Sequence, residues 1–324
     1  MKVGKTSIEW ATDTWNPITG CTPVSPGCDH CYARRMAKRL AGRFGYPESP
    51  KEFDVTFHSD RLEDPLHWWK PRVVFVSSMG DLFHEDVADE QLAAIFNMMQ
   101  TCNNHIFLLL TKRPQRMGAF WKLWFDAYDG LFKLSATTAL PNVYLGVTVE
   151  TQDQMWRVEK LLEIPAAKRF VSFEPLLGPI GVEQREIVRY PLWLIDQLDG
   201  VIVGGESGPG ARPMHPDWVR GIRDQCVQAG VPFTFKQWGE WAPEEAISEN
   251  DRIVAGAHDR WGTVDLDGRL WELTTPWTSI DLQTGEMTKD PEEAVMWRVG
   301  KKAAGRELDG QVWDQWPWDM ISEI

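Results

Sequence analysis

The sequence predicts an α/β fold, namely a partial or complete parallel (β/α) barrel with a small β-rich C-terminal appendage. Three observations lead to this prediction. Short apolar runs alternate with helical stretches from Val73 onward, distinctive polar residues follow the runs, and the composition changes beyond Trp241. The chain has 324 residues, whereas a single barrel typically takes about 250. We therefore expect a barrel domain over residues 1–240 and an appendage over residues 241–324 that ends in a segment returning to the barrel.

Six apolar runs have the character of strands that are buried on both faces. They are almost continuously apolar, which is typical of a parallel sheet covered by helices. The runs are Val73–Ser77, Ile106–Leu110, Val143–Val147, Phe170–Ser172, Val201–Val203 and Val231–Phe235. A further strand is expected close to the first cysteines, so the sequence predicts six or seven strand and helix units.

Helical periodicity appears between the apolar runs. In the stretch from Asp89 to Thr101, the apolar residues recur at the spacing of one helix face. The members of this stripe are Leu92, Ile95, Phe96 and Met99. Repeated strand and helix units predict a parallel sheet whose crossover connections are right-handed.

Polar and distinctive residues follow each apolar run. In a parallel barrel, the carboxyl ends of all strands meet at one rim, and active sites form there. The segments are Ser77–Asp81, Thr111–Pro114, Thr148–Glu150, Glu174–Pro175, Gly204–Gly208 and Lys236–Trp238. Acidic residues at such positions also often cap the next helix. The functional interpretation therefore depends on all six segments together.

The residues beyond Trp241 are rich in Trp, Asp, Gly and Thr. The segment Val264–Trp271 predicts a β-hairpin that turns at Asp267-Gly268. Further along the chain, three cations lie close together in a stretch that contains several glycines; they are Lys301, Lys302 and Arg306. This stretch is either a solvated basic loop or an anion contact at the barrel mouth.

Five cysteines indicate a reducing environment rather than a disulfide framework. Cys102 and Cys226 stand alone in apolar segments. The chain opens with no leader of basic and then apolar residues, and no apolar run approaches the roughly 20 residues of a membrane span. We expect a soluble cytoplasmic protein. The net charge of −13 argues against binding nucleic acid by bulk electrostatics, but it leaves a local basic groove open.

Cys21, Cys28 and Cys31 form the most informative motif in the chain. Three thiolates on one short loop leave a tetrahedral metal ion, or one iron of a cubane cluster, with an open coordination position. The two-residue gap between Cys28 and Cys31 is also standard for structural zinc, but zinc needs a fourth ligand. His30, between these two cysteines, is badly placed to reach the same ion. The spacing favours a cluster, with zinc as the alternative.

The motifs of this chain resemble an uncharacterised phage-associated family with a three-cysteine motif. That family is itself similar to radical S-adenosylmethionine (SAM) enzymes, particularly the spore photoproduct lyase branch. Apart from the cysteine loop, the matching segments are Ile8–Trp10, Trp15–Pro17, Thr111–Pro114, Glu174–Pro179, Gly204–Pro209 and Gly300–Lys302.

Two departures separate the chain from the common radical SAM pattern. Six residues separate Cys21 from Cys28, and His30 stands where an aromatic residue usually precedes the third cysteine. The element Gly204–Glu206 comes several strands later than the similar Gly-Gly-Glu element that binds the SAM amino group in that superfamily. After the second predicted strand stands Asp81 instead, as the expected partner of an amino group or ribose.

The resemblance implies a [4Fe-4S] cluster on Cys21, Cys28 and Cys31, with SAM at the fourth iron. It implies a bacterial or phage setting, a nucleic acid or nucleotide substrate that is repaired or modified, and an external electron donor. The expected cofactor-binding residues are Ser78, Asp81, Thr111 and Lys112, and the expected catalytic residues are Glu150, Glu174, Glu206 and Lys236. Lys112 could instead pair with Glu150 or Glu174 across the rim.

Two further expectations concern the substrate. Trp238 is available to stack on a flat ligand. The cysteine loop is followed by a predicted helix whose cations would either bind phosphates or form a solvated face; they are Arg34, Arg35, Lys38, Arg39 and Arg43.

Two alternatives to a radical enzyme remain at this point. The first is a zinc-stabilised barrel without catalytic activity that acts as a binding or regulatory protein. The second is a metal-dependent hydrolase that uses the rim carboxylates, with His84-Glu85-Asp86 as one ligand set.

Overall fold

A seven-stranded parallel sheet forms the main body of the protein. The structure is a computed structural model that describes residues 6, 8–132, 139–181, 192–256, 261–265, 267, 270–271, 279–280, 287–288, 293–316 and 318. The strands are β1 (Asp13–Trp15), β2 (Val73–Val76), β3 (Ile106–Thr111), β4 (Val143–Thr148), β5 (Lys168–Phe173), β6 (Gly200–Gly204) and β7 (Phe233–Gln237). Each strand pairs in parallel with the next one in the chain. The sheet curls into a half-barrel, which confirms the predicted fold class in its partial form.

Five α-helices lie in the connections between these strands. They are α1 (Tyr32–Leu40), α2 (Asp89–Thr101), α3 (Pro114–Phe132), α4 (Trp156–Leu162) and α5 (Pro216–Ala229). The predicted apolar stripe of α2 is confirmed, since its four members are fully buried. Burying each such side chain stabilises the fold by about 1.5–3 kcal/mol. In the part of the chain that the structure describes, no helix is both long and apolar enough to cross a membrane.

The C-terminal segment runs along the open edge of β7. The backbone N–H of Phe235 donates to the carbonyl of Trp313 (3.0 Å), and that of Gln315 donates to the carbonyl of Phe233 (3.2 Å). Further along, Trp318 packs against Trp10 in an apolar cluster with inward-facing residues of the sheet. Residues near the two ends of the chain therefore meet inside the half-barrel.

The appendage is a small antiparallel sheet. Its strands are β8 (Trp241–Pro243), β9 (Trp261–Asp265), β10 (Leu270–Trp271) and β11 (Glu293–Arg298), in the order β8-β11-β9-β10. The pairing of β9 with β10 confirms the predicted hairpin, although Gly268 of its turn lies outside the described residues. Two short helices accompany this sheet; they are α6 (Glu249–Gly256) and α7 (Lys301–Ala304).

Three two-stranded ladders complete the structure, and one of them supports the cysteine loop. They pair Ile18–Thr19 with Thr56–Phe57, Ser279–Ile280 with Met287–Thr288, and Glu307–Leu308 with Gln311–Val312. The first ladder directly precedes Cys21.

Candidate functional site

A cavity of about 450 Å³ opens at the carboxyl ends of the sheet strands. The predicted site residues line it, with the exception of Glu150; they are Cys21, Cys28, Cys31, Ser78, Asp81, Thr111, Lys112, Glu174, Glu206 and Lys236. Segments far apart in the chain therefore meet at one rim, as a parallel sheet requires.

The three cysteines lie on the loop between β1 and α1. Cys28 ends a short 3-10 turn and Cys31 immediately precedes α1. All three thiols are free, partly exposed and directed toward the same cavity. Within the described residues, no three His, Cys, Asp or Glu side chains already form a site for a single metal ion.

Cys21 lies beside a buried ion pair at the end of β3. The Nη1 atom of Arg113 lies 3.3 Å from Cys21 Sγ and 3.1 Å from Asp81 Oδ2. Burial and the Asp81 charge raise the pKa of the Cys21 thiol to about 11, although Arg113 acts in the opposite direction. In the absence of metal, Cys21 therefore keeps its proton at neutral pH.

Cys28 has a different electrostatic environment. Lys112 Nζ lies 3.6 Å from Cys28 Sγ and 2.7 Å from Glu150 Oε1. Burial alone would raise the pKa of the Cys28 thiol, but the Lys112 charge and hydrogen bonds from the Val24 and Ser25 backbone outweigh it and hold the pKa below its ordinary value. Cys28 is thus the more acidic of these two thiols.

Glu150 lies beneath Lys112 and is fully buried. Its carboxylate also accepts hydrogen bonds from Arg157 Nη1 (2.8 Å) and Ser25 Oγ (2.7 Å). Burial would raise the pKa of Glu150, but the charges of Lys112 and Arg157 outweigh it and lower the pKa. Glu150 therefore connects the cysteine loop, through Ser25, to the strand-end cation.

Asp81 is surrounded by donors. Its Oδ1 accepts from Thr111 Oγ1 (2.7 Å) and the Phe83 N–H (3.0 Å), and its Oδ2 accepts from Arg113 and the Lys112 N–H (3.3 Å). Both carboxylate oxygens are engaged with the protein. This arrangement orients Arg113 toward Cys21.

Glu206 holds the other side of the cysteine loop. Arg212 donates to its carboxylate through Nε (2.9 Å) and Nη2 (2.6 Å), and His30 Nδ1 lies 3.1 Å from Glu206 Oε2. Arg212 Nη2 also donates to the carbonyl of Pro26 (2.9 Å). The loop after β6 therefore clamps the segment that carries Cys28 and Cys31.

Two glycines allow this clamp to close. Gly208 and Gly210 have φ values of +95° and +78°, which favour glycine. A Cβ atom on Gly208 would lie 2.0 Å from Arg35 Nη1, and one on Gly210 would lie 2.8 Å from His30 Nε2. These glycines therefore permit close approach to α1 and the cysteine loop.

Glu174 and Lys236 form an ion pair across the mouth of the cavity. Lys236 Nζ lies 2.5 Å from Glu174 Oε1, and both side chains are only partly buried. Trp238 does not belong to this mouth, so the expectation that it stacks on a ligand is wrong. It is buried against Phe235, and its Nε1 donates to the Glu307 carbonyl (2.9 Å), because the residues that follow the strand turn under the C-terminal segment.

Three buried polar atoms of cavity-lining residues have no hydrogen-bond partner within the described residues. They are Trp10 Nε1, Ser77 Oγ and Gln237 Oε1. Ser77 also has a φ of +55°, which is uncommon for a residue other than glycine. Unpartnered buried groups are rare in folded proteins and require an explanation, for which a bound ligand is one candidate.

Five residues of this site are not among the metal-binding, cofactor-binding and catalytic residues that the sequence predicts, although Ser77, Arg113 and Gln237 lie in the predicted rim segments. The five are Ser77, Arg113, Arg157, Arg212 and Gln237. Arg113 and Gln237 stand next to predicted site residues, and that adjacency was the available signal. Arg157 and Arg212 approach only through tertiary packing.

The predicted hydrolase ligand set is occupied by internal hydrogen bonds. His84 Nε2 lies 2.8 Å from Thr22 Oγ1, and its Nδ1 accepts from the Asp86 N–H (3.1 Å). Both ring nitrogens thus support the cysteine loop and the turn after Asp81, and this contact pattern is that of a structural residue.

The basic helix α1 begins at the cavity. Tyr32 lines the cavity, and its hydroxyl donates to the Ser78 carbonyl. Four cations on or just beyond the helix are exposed; they are Arg34, Lys38, Arg39 and Arg43. Arg35 differs from them, since its Nη2 donates to the Ser207 carbonyl (3.2 Å).

Comparison with known proteins gives one family and one type of similar fold. Residues 5–317 match the model of DUF5131, a family described as a protein of unknown function. The chain matches no curated protein. It resembles spore photoproduct lyase complexed with dinucleoside spore photoproduct, with 10% identity and a TM-score of 0.41. It also resembles a cysteine-to-serine mutant of spore photoproduct lyase, with 12% identity and a TM-score of 0.40. Each alignment covers 70% of this chain and 64% of the lyase chain, which is less than two thirds of the lyase.

Proposed function

The chain belongs to the DUF5131 family of proteins of unknown function, and from its own site we propose that it is an iron-sulfur enzyme of the radical SAM type that acts on a nucleic acid or nucleotide. One observation carries this proposal. Three free thiols from one loop line a cavity at the carboxyl ends of a parallel half-barrel, beside two strand-end cations.

The donor set fits a cluster with one open iron. Cys21, Cys28 and Cys31 are the proposed ligands, and the described residues bring no fourth cysteine to the cavity. Thiolates concentrate negative charge, and Lys112 and Arg113 contact two of the three sulfurs. The three thiols and the nearby cations therefore support the proposal of a [4Fe-4S] cluster at this site.

The cavity wall also fits a polar cofactor. Ser77, with its unpartnered hydroxyl, joins the proposed cofactor-binding residues Ser78, Asp81, Thr111 and Lys112 on the side of the cavity formed by β2 and β3. Bound together, a cluster and SAM would supply reductive cleavage of a sulfur-carbon bond, with one electron from an external donor, and abstraction of hydrogen from the substrate. Asp81 acts in this proposal by orienting Arg113 and Thr111.

The predicted catalytic residues have different proposed tasks. Glu174 and Lys236 face the cavity mouth, where they can contact the substrate and exchange a proton with it. Glu150 holds Lys112, and Glu206 holds the cysteine loop through Arg212. We therefore propose Glu174 and Lys236 as catalytic residues and the other two as positioning residues.

The surface of α1 supports a nucleic acid or nucleotide substrate. Its exposed cations form no ion pair with the described residues, although the chain carries a net charge of −13. Tyr32 and Phe44 are also exposed on this surface. Cations that bind phosphates and aromatic rings that stack on bases are the features of a single-strand binding surface.

Anaerobic metal analysis tests the proposed cofactor. We expect about four irons and four sulfides per chain, and an electron paramagnetic resonance signal of the reduced protein that SAM alters. The variants Cys28→Ala and Cys31→Ala should lose both, whereas the control Cys102→Ala, which changes a buried cysteine outside the cavity, should keep them. Stoichiometric zinc without iron after anaerobic reconstitution would refute the radical enzyme and support the zinc-stabilised barrel.

Salt-dependent binding tests the proposed partner. Affinity for a single-stranded oligonucleotide should fall with salt, and the double variant Lys38→Ser and Arg39→Ser should reduce the slope of log K against log salt by about 1.4 if both cations contact phosphates. The matched control is Lys122→Ser, which removes an exposed cation from α3. Equal slopes for all three proteins would exclude α1 as a nucleic-acid surface.

A further inference from the structure

The final pair of strands in the parallel sheet is irregular. Val203 pairs with Phe235, but the next residue, Gly204, pairs with Gln237, so Lys236 has no counterpart. Successive side chains of a regular strand point to opposite faces, yet Lys236 and Gln237 both line the cavity. Irregularities of this kind commonly re-aim a side chain next to an active site.

The re-aimed Gln237 side chain is buried and incompletely bonded. Its Oε1 atom is shielded from solvent and has no hydrogen-bond partner in the part of the chain that the structure describes. An unmade hydrogen bond at a buried polar group is destabilising. A ligand that supplies an N–H or O–H donor at this point removes that destabilisation.

A lysine from the C-terminal part of the chain reaches the same cavity. Lys301 begins α7 and lines the cavity wall. The segment is held beside β7, since the Gly300 N–H donates to the Glu240 carbonyl (3.0 Å) and the Trp238 N–H donates to the Gly305 carbonyl (3.3 Å). Lys301 is thus the contribution of the appendage to the site.

The charge of Lys301 is available to a ligand. The other cations of the cavity wall have carboxylate partners: Lys112 pairs with Glu150, Arg113 with Asp81 and Lys236 with Glu174. Within the described residues, Lys301 has no carboxylate partner, and its side chain is exposed. An unpaired cation and an unpartnered amide oxygen in the wall of one cavity suit a ligand with both an anionic group and a hydrogen-bond donor.

We propose that Gln237 and Lys301 form a substrate subsite for a phosphate-bearing ligand that carries an N–H or O–H donor, such as a nucleoside monophosphate unit. Lys301 contacts the phosphate as a point charge, and Gln237 accepts a hydrogen bond from the base or sugar. The subsite rests on the proposed function for its place in a reaction. Its affinity for a phosphate-bearing ligand does not depend on the proposed reaction and can be measured separately.

Calorimetric titration of the metal-free protein tests this subsite. The probes are adenosine 5′-monophosphate, thymidine 5′-monophosphate, the two nucleosides and inorganic phosphate. We expect the monophosphates to bind more tightly than the nucleosides. Gln237→Leu should weaken monophosphate binding about tenfold, which corresponds to one hydrogen bond of about 1.4 kcal/mol. Lys301→Ala should bring the affinities of monophosphate and nucleoside close together.

Two controls distinguish recognition from folding. Lys302→Ala removes a neighbouring exposed lysine that does not line the cavity, and it should leave every affinity unchanged. Gln237→Leu should keep or raise the melting temperature, because the replaced Oε1 atom has no partner in the ligand-free protein. A fall in melting temperature with unchanged affinity would make Gln237 a structural residue and overturn the proposal.

The remaining outcomes separate this proposal from the proposed function. If iron and SAM are bound but no monophosphate binds, or if it binds equally to the parent, Gln237→Leu and Lys301→Ala, the subsite is refuted and the radical enzyme stands. If the expected affinity changes occur in a protein that takes up only zinc, the subsite stands and the radical chemistry falls.

Discussion

The Nζ atom of Lys112 lies 2.7 Å from the carboxylate of Glu150. This ion pair joins the end of β3 to the residue that follows β4, and Lys112 extends from it to the Cys28 sulfur. Arg157, from α4, neutralises the second carboxylate oxygen. The charge that faces the cysteine loop is thus set by a buried network in which each ion has a partner.

Replacing Glu150 by Gln should destabilise the protein strongly. The substitution leaves Lys112 and Arg157 without their counter-ion, and breaking a buried pair typically costs about 3–5 kcal/mol. The free energy of unfolding from urea denaturation measures the effect. The control is Glu163→Gln, which removes an exposed partner of Lys160 and should cost less than about 1 kcal/mol. Similar costs for both variants would contradict the buried network.

The same pair gives a pH dependence with a definite sign. The pKa of Glu150 is lower in the folded protein than in the unfolded chain. Its contribution to stability is therefore fully present above the unfolded value of about 4.3, and it is lost as the pH falls through the folded value. The stability difference between the parent protein and Glu150→Gln should stay constant from pH 7 to 5 and shrink below about pH 4. An unchanged difference at pH 3 would contradict this assignment.

The two thiols nearest the strand-end cations should differ in reactivity in the metal-free protein. The thiolate is the reactive form, and the pKa is lowered for Cys28 but raised to about 11 for Cys21. Iodoacetamide at pH 7.5 should therefore modify Cys28 before Cys21, as measured by peptide mass spectrometry. Lys112→Met should slow the modification of Cys28, whereas Lys122→Met should not. Faster labelling of Cys21 than of Cys28 would contradict the expected order of the two thiol pKa values.

Arg212 should control the mobility of the cysteine loop. Its guanidinium donates twice to Glu206 and once to the Pro26 carbonyl, and lysine cannot reproduce that planar fork. Arg212→Lys should accelerate hydrogen exchange of the metal-free protein in residues 21–31. Arg220→Lys is the matched control, because Arg220 makes a similar fork to exposed Asp309. Unchanged hydrogen exchange in both variants would show that Arg212 does not restrain the cysteine loop.

The sequence predicts the sheet because its strands are almost continuously apolar, and each of the six runs overlaps a strand, with Ser77 and residues 231–232 outside the strands. It also predicts the common rim, since parallel topology alone brings strand ends such as Thr111 and Glu174 together. The sequence does not predict which charged side chains pair across that rim. Lys112 had two possible partners in sequence, and only packing selects Glu150.

Other features depend on details that periodicity does not encode. An irregular pairing turns Gln237 toward the cavity, although strict alternation would place only one of Lys236 and Gln237 there. The prediction for Trp238 is wrong for a related reason. The sequence does not indicate whether a tryptophan directly after a strand end faces the cavity or packs under the appendage. Trp238 is buried under the appendage.

The apolar contact between the chain ends should contribute much of the stability of the half-barrel. Trp318 is 2% exposed, its ring centroid lies 5.3 Å from that of Phe170, and its Nε1 donates to the Trp10 carbonyl (3.1 Å). Trp318→Ala should cost about 3–5 kcal/mol in urea unfolding, because it leaves a cavity inside the sheet.

Trp69 provides the matched control for this prediction. It is 97% exposed, so Trp69→Ala should change the free energy of unfolding by no more than about 0.5 kcal/mol. A comparably small effect of Trp318→Ala would mean that the C-terminal segment detaches from the barrel in solution. The apolar interior of the open sheet would then have to be covered in another way, since Phe75, Phe170 and Ile202 face the same cluster as Trp318.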